Sequence, residues 1–248
     1  MPDAIDSPQF APFVRETLDE RSMYFSLSET QSRMRLATPD ALVLEYTRTM
    51  MAFLMFVPRP RHIAMIGLGG GSLAKFCRRH LPGARMTVVE INPQVIALRG
   101  DFGIPPDGPR FRVLQGDGAQ FVRDTDERVD VLLVDGFDRG GQPPALCTQR
   151  FYDDCVDMLT PQGVLVVNLH TGDALFDACL QRIARSADSE PVVVHDADHG
   201  NSVVFAGRRQ ALRRQPTGPL RAPAGLDADA WTQLMPAFAR VASALHSR

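Results

Sequence analysis

The chain has 248 residues, 44% of them hydrophobic, enough for one large α/β domain with a small appendage. Acidic and basic residues nearly balance at a formal charge of -2, which gives no electrostatic reason to propose a nucleic acid or an anionic membrane as partner. Cys77, Cys147, Cys155 and Cys179 stand without a Cys-x-x-Cys pair, so no zinc ribbon or thioredoxin-like site is expected. No leader pattern is present and the longest apolar run, residues 50–57, is far too short to span a bilayer, so the protein reads as cytoplasmic.

In chain order, residues 1 to 20 are rich in Pro, Asp and Ser and read as a loosely held arm. Alternating apolar and polar positions over 24–36 predict two short strands of an antiparallel hairpin. Residues 41–56 carry apolar side chains at helical spacing and stop before Pro58 and Pro60, which predicts a helix. Residues 63–72 break from an apolar run into glycines and then into a helical pattern. That sequence is a buried strand, a tight turn at Gly67, Gly69, Gly70 and Gly71, and a helix N-terminus whose backbone N–H groups can face a ligand. Lys75, the only lysine, lies in this helix and is expected to face solvent.

A second strand over 85–90 ends in Glu90, about twenty positions past the glycines, the spacing at which a carboxylate accepts hydrogen bonds from ribose hydroxyls. Asn92-Pro93 opens another helix. Residues 110–115, 129–134 and 164–169 are three further strands; the first closes at Gly116-Asp117-Gly118 and the second at Asp135–Asp138. Helices are expected over 119–124, 151–159 and 174–184, with a turn at Pro161-Gln162-Gly163. Residues 191–195 and 202–206 form an antiparallel hairpin at the sheet edge. A linker follows from Arg208, and an amphipathic helix over 229–245 packs on the domain or on a partner subunit, the second case making a homodimer.

Strands alternating with helices imply a Rossmann-like, doubly wound, mostly parallel sheet with an antiparallel edge hairpin and a short N-terminal β appendage. The parts are residues 1–57 (arm, hairpin and helix), 58–207 (nucleoside-binding catalytic domain) and 208–248 (linker and C-terminal helix). Such sheets bind ligands at the carboxyl ends of their strands. Here those ends are the glycine turn, Glu90, Gly116-Asp117 and Asp135–Asp138, gathered on one edge; capping of the next helix is the competing reading for Glu90 and Asp117. Tyr46 and Tyr152 are candidates to line a substrate pocket, with simple packing the competing reading. His195, Asp196, Asp198 and His199 have metal-ligand chemistry, but a polar hairpin turn needs no metal and none is expected. His170 reads as a wall residue and Cys147 as an inert thiol.

The sequence resembles the spermidine synthase family, aminopropyltransferases built on the fold of S-adenosylmethionine-dependent methyltransferases. The resemblance covers residues 31–207 and is strongest over 63–163. Its pieces are Gly67-Leu-Gly-Gly-Gly71, Val88-Val-Glu-Ile91, Gly116-Asp117-Gly118, Val134-Asp135-Gly-Phe-Asp138, Phe151-Tyr152 and Pro161-Gln-Gly-Val-Leu165. It implies that decarboxylated S-adenosylmethionine is the co-substrate, held by Gly67, Gly69, Gly71, Gly118, Glu90 on the ribose hydroxyls, Asp117 on the adenine amino group, and Gln31 from the N-terminal β part. It further implies that Asp135 orients a small-molecule amine acceptor and takes its proton, with Asp138 assisting. The chemistry calls for such a carboxylate, because an alkylammonium with pKa ~10 is almost fully protonated at neutral pH.

The chain departs from the family pattern in three places. Gly70 stands where the family's glycine turn carries an aspartate for the aminopropyl amine. Glu45-Tyr46-Thr47-Arg48 replaces its Tyr-His-Glu segment, placing a positive charge near a site for cations. The N-terminal β part is also too short for the family's full set of strands. A lost charged hydrogen bond at position 70 is worth roughly 1.5–3 kcal/mol. Two alternatives therefore stand beside aminopropyl transfer: a methyltransferase using ordinary S-adenosylmethionine, and a nucleoside-binding protein without catalysis.

Overall fold

Three antiparallel strands open the chain: β1 (Phe13–Glu16), β2 (Glu20–Tyr24) and β3 (Thr30–Arg35), in that spatial order. The computed structural model describes residues 11–25, 30–138, 141–196, 200–208, 211–212, 220–223 and 225–247. Strand β1 lies inside what reads from sequence as an arm. Its four residues are too few to show a period of two, and it is fixed by pairing with β2 and by Phe13 stacking on Tyr24 at 5.3 Å. Met23 and Met34 on the inner face of this sheet are buried in the main core.

The helix expected over 41–56 is shorter and divided: α1 (Glu45–Met50) runs into a 3₁₀ turn, Met51–Met55. Residues 50–54 are apolar on every side and buried, so no polar stripe favours an amphipathic α-helix there. Before α1 the chain is tied elsewhere. Leu42 N–H donates to Gln233 Oε1, and the Leu42 and Val43 carbonyls accept from Arg48 at 2.7 and 3.0 Å.

The continuous aliphatic runs then form the centre of a seven-stranded sheet, as expected of strands covered on both faces. The strands are β4 (His62–Ile66), β5 (Arg85–Glu90), β6 (Phe111–Gln115), β7 (Val129–Val134), β8 (Leu159–His170), β9 (Val192–His195) and β10 (Asn201–Ala206). Their order is β6-β5-β4-β7-β8-β10-β9. The strands from β6 to β8 are parallel, and β10 runs antiparallel to both neighbours. The chain steps from β4 to one side, through β5 and β6, and later returns to pair β7 on the other side. The crevice of a doubly wound sheet opens at such a switch point, beyond the carboxyl end of β4. The Pro161–Gly163 turn proves to be a bulge inside β8: pairing jumps from Val129↔Leu159 to Val131↔Val164, so β8 advances five residues where β7 advances two.

Helices α2 (Ser72–His80), α3 (Pro93–Ala97), α4 (Gly118–Asp124), α5 (Gln149–Met158), α6 (Phe176–Ala187) and α7 (Ala228–His246) complete the layers. Alternation along β4 divides the core: Ile63 and Met65 join α1, α2 and α7, whereas Ala64 and Ile66 join α4, α5 and α6. Leu234, Phe238, Val241 and Leu245 of α7 are buried in the first layer, and Arg240 pairs with Glu45 at 2.7 Å. The chain's own domain therefore takes up that apolar stripe. No helix among the described residues is long and apolar enough to cross a membrane.

Lys75 does not face solvent. It is 2% exposed on the inner side of α2, where Nζ donates to the Phe102 carbonyl at 2.7 Å and lies 3.0 Å from Met34 Sδ. The covering surface comes from β3, forty-one positions earlier, and the helix's own pattern carries no sign of it.

Candidate active site

A cavity of ≈ 600 Å³ opens at the carboxyl ends of β4, β5, β6 and β7, with Gln31 and Ser32 of β3 on its N-terminal side. The glycine turn shapes its floor. Gly67 has φ +89°, and a Cβ there would stand 2.2 Å from the Asp135 carbonyl oxygen. Only glycine allows this approach of the β4 and β7 ends, which sets Asp135 beside the turn. Gly67 and Gly69 line the cavity; Gly71 does not. With φ +67° it caps α2 and faces Ile104, so its role is to shape the turn. Gly118 lines the cavity where a Cβ would meet Ile66 Cγ2 at 2.4 Å.

Glu90 is 8% exposed and rigidly aimed: Oε2 accepts from Leu68 N at 2.8 Å and Oε1 from Asn92 N at 2.9 Å. Burial pushes its carboxyl above the ordinary range, and backbone N–H groups around it, including that of Gly69, pull it back. Asp117 does act as a cap, Oδ1 accepting from Ala119 N at 2.7 Å and Gln120 N at 3.2 Å, but it also stands exposed on the cavity wall. The cap engages Oδ1, so capping and ligand binding are compatible for this residue.

Asp135 follows the last residue of β7 and is gripped on both oxygens. Asn168 Nδ2 donates to Oδ1 at 2.9 Å and Tyr46 Oη donates to Oδ2 at 3.2 Å. Burial pushes the Asp135 carboxyl up to about 6, against the two hydrogen bonds that favour its ionised form. The Tyr46 hydroxyl is itself raised well above its ordinary value, by burial first and by the Asp135 charge second, so it stays a donor. Asn168 was not among the expected site residues, although it is the one polar side chain in the run Val164–Leu169 and sits near the carboxyl end of β8. Asp138 lies on the exposed side of the cavity, where it bridges Gly141.

Tyr152 does not line the cavity. It is fully buried in the second core layer against Phe151, because the α5 face that carries Phe151, Cys155 and Val156 turns inward. Arg48 turns away to the Leu42 and Val43 carbonyls, which removes the positive charge expected near the site. Among the described residues that line the cavity, the charged side chains are Glu90, Asp117, Asp135 and Asp138, with no Lys, Arg or His. His170 is exposed at the end of β8 and outside the cavity. His195 Nδ1 is 2.8 Å from Ser202 Oγ, Asp198 and His199 lie outside the described residues, and no cluster of three or more potential metal ligands exists among the described ones.

Gly70 is backed by protein. Its N–H donates to Ser32 Oγ at 3.0 Å, and a Cβ there would meet Ser32 Oγ at 2.7 Å and Phe102 Cδ1 at 2.8 Å. Phe102 is fully buried, so both neighbours would have to shift within the packed core. We expect Gly70→Asp to destabilise the protein by roughly 1–3 kcal/mol through overpacking. Urea unfolding of the variant measures this, and an undiminished midpoint would refute the steric account.

An acid-lined cavity at the switch point of this sheet, with a buried carboxylate at the end of the second parallel strand, is the ligand-binding arrangement of a Rossmann-like domain. The family model of the spermine/spermidine synthase domain matches residues 44–176. The polyamine aminopropyltransferase of Chromobacterium violaceum is 40% identical over 203 residues, 79% of this chain and 78% of that one. This chain thus belongs to the spermine/spermidine synthase family. Two solved structures share the fold. A probable spermidine synthase from Corynebacterium glutamicum superposes with TM-score 0.69 at 20% identity, covering 79% of this chain and 76% of the other. A spermidine synthase in complex with the transition-state analogue AdoDATO gives TM-score 0.59 at 20% identity, covering 90% and 88%.

Proposed function

We propose that the chain transfers the aminopropyl group of decarboxylated S-adenosylmethionine to a small amine, with Asp135 as proton acceptor. The observation that carries this reading is Asp135, fixed between Tyr46 and Asn168 in a cavity whose charged lining, among the described residues, is wholly acidic. A sulfonium donor and an alkylammonium acceptor are both cations, so this lining favours each of them. Among the described lining residues the carboxylate of ordinary S-adenosylmethionine would meet no cation. Gly70 by itself left methyl transfer open; the lining favours the decarboxylated donor.

In this reading Glu90 accepts from the ribose hydroxyls, Asp117 faces the adenine amino group, and Gln31, Gly67, Gly69 and Gly118 shape the nucleoside end. Asp138 holds the acceptor from the outer side. The donor's sulfonium supplies an activated carbon and departs as a neutral thioether, taking the electron pair of the broken C–S bond. Asp135 orients the attacking nitrogen and receives the proton that nitrogen gives up as the C–N bond forms. Burial moves its carboxyl toward the working pH, the direction that suits a general base. Names of the relatives support the same transfer.

Calorimetric titration with the two forms of the donor tests this. Decarboxylated S-adenosylmethionine should bind at least about tenfold more tightly, since like charges set against each other cost several kcal/mol. Equal affinity, or a preference for the carboxylated form, overturns the reading in favour of methyl transfer.

A further inference from the structure

Asn168 stands in β8, between β7 and β10, where every other residue from Val164 to Leu169 is aliphatic. It is 2% exposed and lies opposite Val203 of β10. One end of its amide donates to Asp135 Oδ1 at 2.9 Å; the other, its own Oδ1, is buried with no hydrogen-bond partner among the described residues. A carboxylate only accepts, so the amide has to present Nδ2 to Asp135 and the unpaired atom is the oxygen. Leaving a buried acceptor unpaired is unfavourable, and a valine at this position would continue the strand without that penalty. What the amide adds to the molecule is its bond to Asp135.

The two partners of Asp135 hold it from different sides. Tyr46 and Asp135 line the cavity, whereas Asn168 does not. Oδ1 of Asp135 is therefore the inner oxygen, and Oδ2, which accepts from Tyr46, is the one that faces a bound molecule. A donor on either oxygen favours the ionised carboxyl and burial opposes it, which leaves the group at about 6. Of the titratable side chains around it, Tyr46 on α1 is the one in contact; Glu90, Asp117 and Asp138 line the same cavity, and among the described residues burial, Asn168 and Tyr46 are what move the carboxyl.

We propose that Asn168 is the positioning residue of the base: by occupying Oδ1 from within the sheet it fixes the plane of the Asp135 carboxylate, favours its ionised form and turns Oδ2 toward the acceptor nitrogen. Asn168 itself touches no substrate. The identity of that nitrogen rests on the aminopropyl-transfer reading above; the hold on the carboxylate does not.

Asn168→Val removes the donor and keeps a branched side chain suited to the strand, and Asn168→Ala does so without added bulk. In protein labelled with ¹³C at aspartate Cγ, the Asp135 resonance is identified by its absence from Asp135→Asn. It should titrate roughly one pH unit higher in either variant than in the unaltered chain, the shift expected from loss of one charge-assisted bond. The rising limb of kcat/KM should move up with it, and the plateau above the limb should fall about tenfold because the carboxylate is free to turn. In the Asp135→Asn background, Asn168→Val should lower residual turnover by less than about twofold, since both substitutions act on one group. Binding of 5′-methylthioadenosine, the nucleoside left when the aminopropyl group has departed, checks that the variants are folded. An unmoved titration, an unchanged plateau, the same tenfold loss in the Asp135→Asn background, or loss of nucleoside binding in both variants would each overturn the positioning role. The resonance is read without turnover. A shifted titration in a chain that transfers no aminopropyl group therefore upholds the hold on Asp135 and overturns the transfer reading alone.

Discussion

Asp135→Asn lowers the turnover of amine transfer by about 10²–10⁴-fold, the usual range for loss of a general base, and leaves 5′-methylthioadenosine affinity within about twofold. The substitution is nearly isosteric, and an amide at this position still meets Tyr46 and Asn168, so the site's shape survives. The pH dependence follows from the same carboxyl. With its value raised from 3.8 to about 6, Asp135 is protonated and inactive below that pH, so kcat/KM rises through about 6 in the unaltered chain and loses that limb in the variant. Stability should move the other way. Between 3.8 and about 6 the folded state holds a proton that the unfolded chain has released, so this group's contribution falls as pH rises through the window. At neutral pH the aspartate costs on the order of 2–3 kcal/mol, and Asp135→Asn should unfold at a higher denaturant concentration than the parent. An inactive variant that is also less stable at pH 7, or an active one, contradicts the role assigned to this carboxyl.

The same residues show what could be read from sequence. Strand-end acids are legible because a continuous apolar run fixes where a buried strand stops, and Glu90 and Asp135 are the residues at those stops. Asp117 was legible in both of its readings, since a carboxylate can cap a helix with one oxygen and stand on the cavity wall. Tyr152 illustrates the limit of a motif without a phase: the Phe-Tyr pair is plain in the sequence, but the orientation of α5 decides that both rings enter the core. Arg48, Lys75 and Asn168 fail for a common reason. Each is set by a partner far along the chain or by a backbone path that periodicity does not describe: the Leu42–Val43 carbonyls, Met34 with Phe102, and Asp135. Position 70 was readable as an absent acid; that Ser32 and Phe102 fill the space required the packing of β3 on the glycine turn.

Glu90→Gln should weaken 5′-methylthioadenosine binding by roughly 10²-fold, although the change removes one charge and no volume. The parent carboxylate accepts a backbone N–H on each oxygen, from Leu68 on one side and Asn92 on the other. A glutamine has one acceptor oxygen, so either orientation of its amide points an NH₂ group at one of these donors. The side chain must turn away or leave a buried N–H unpaired, at about 1–3 kcal/mol, and the remaining bonds to the ribose are no longer made by a charged group. Because the defect lies at the nucleoside end, donor KM should carry it and kcat at saturating donor should change less than about tenfold. Asp135→Asn has the opposite signature. If Glu90→Gln instead lowered kcat and spared nucleoside affinity, the assignment of the ribose end to Glu90 and of the reacting end to Asp135 would have to be reversed.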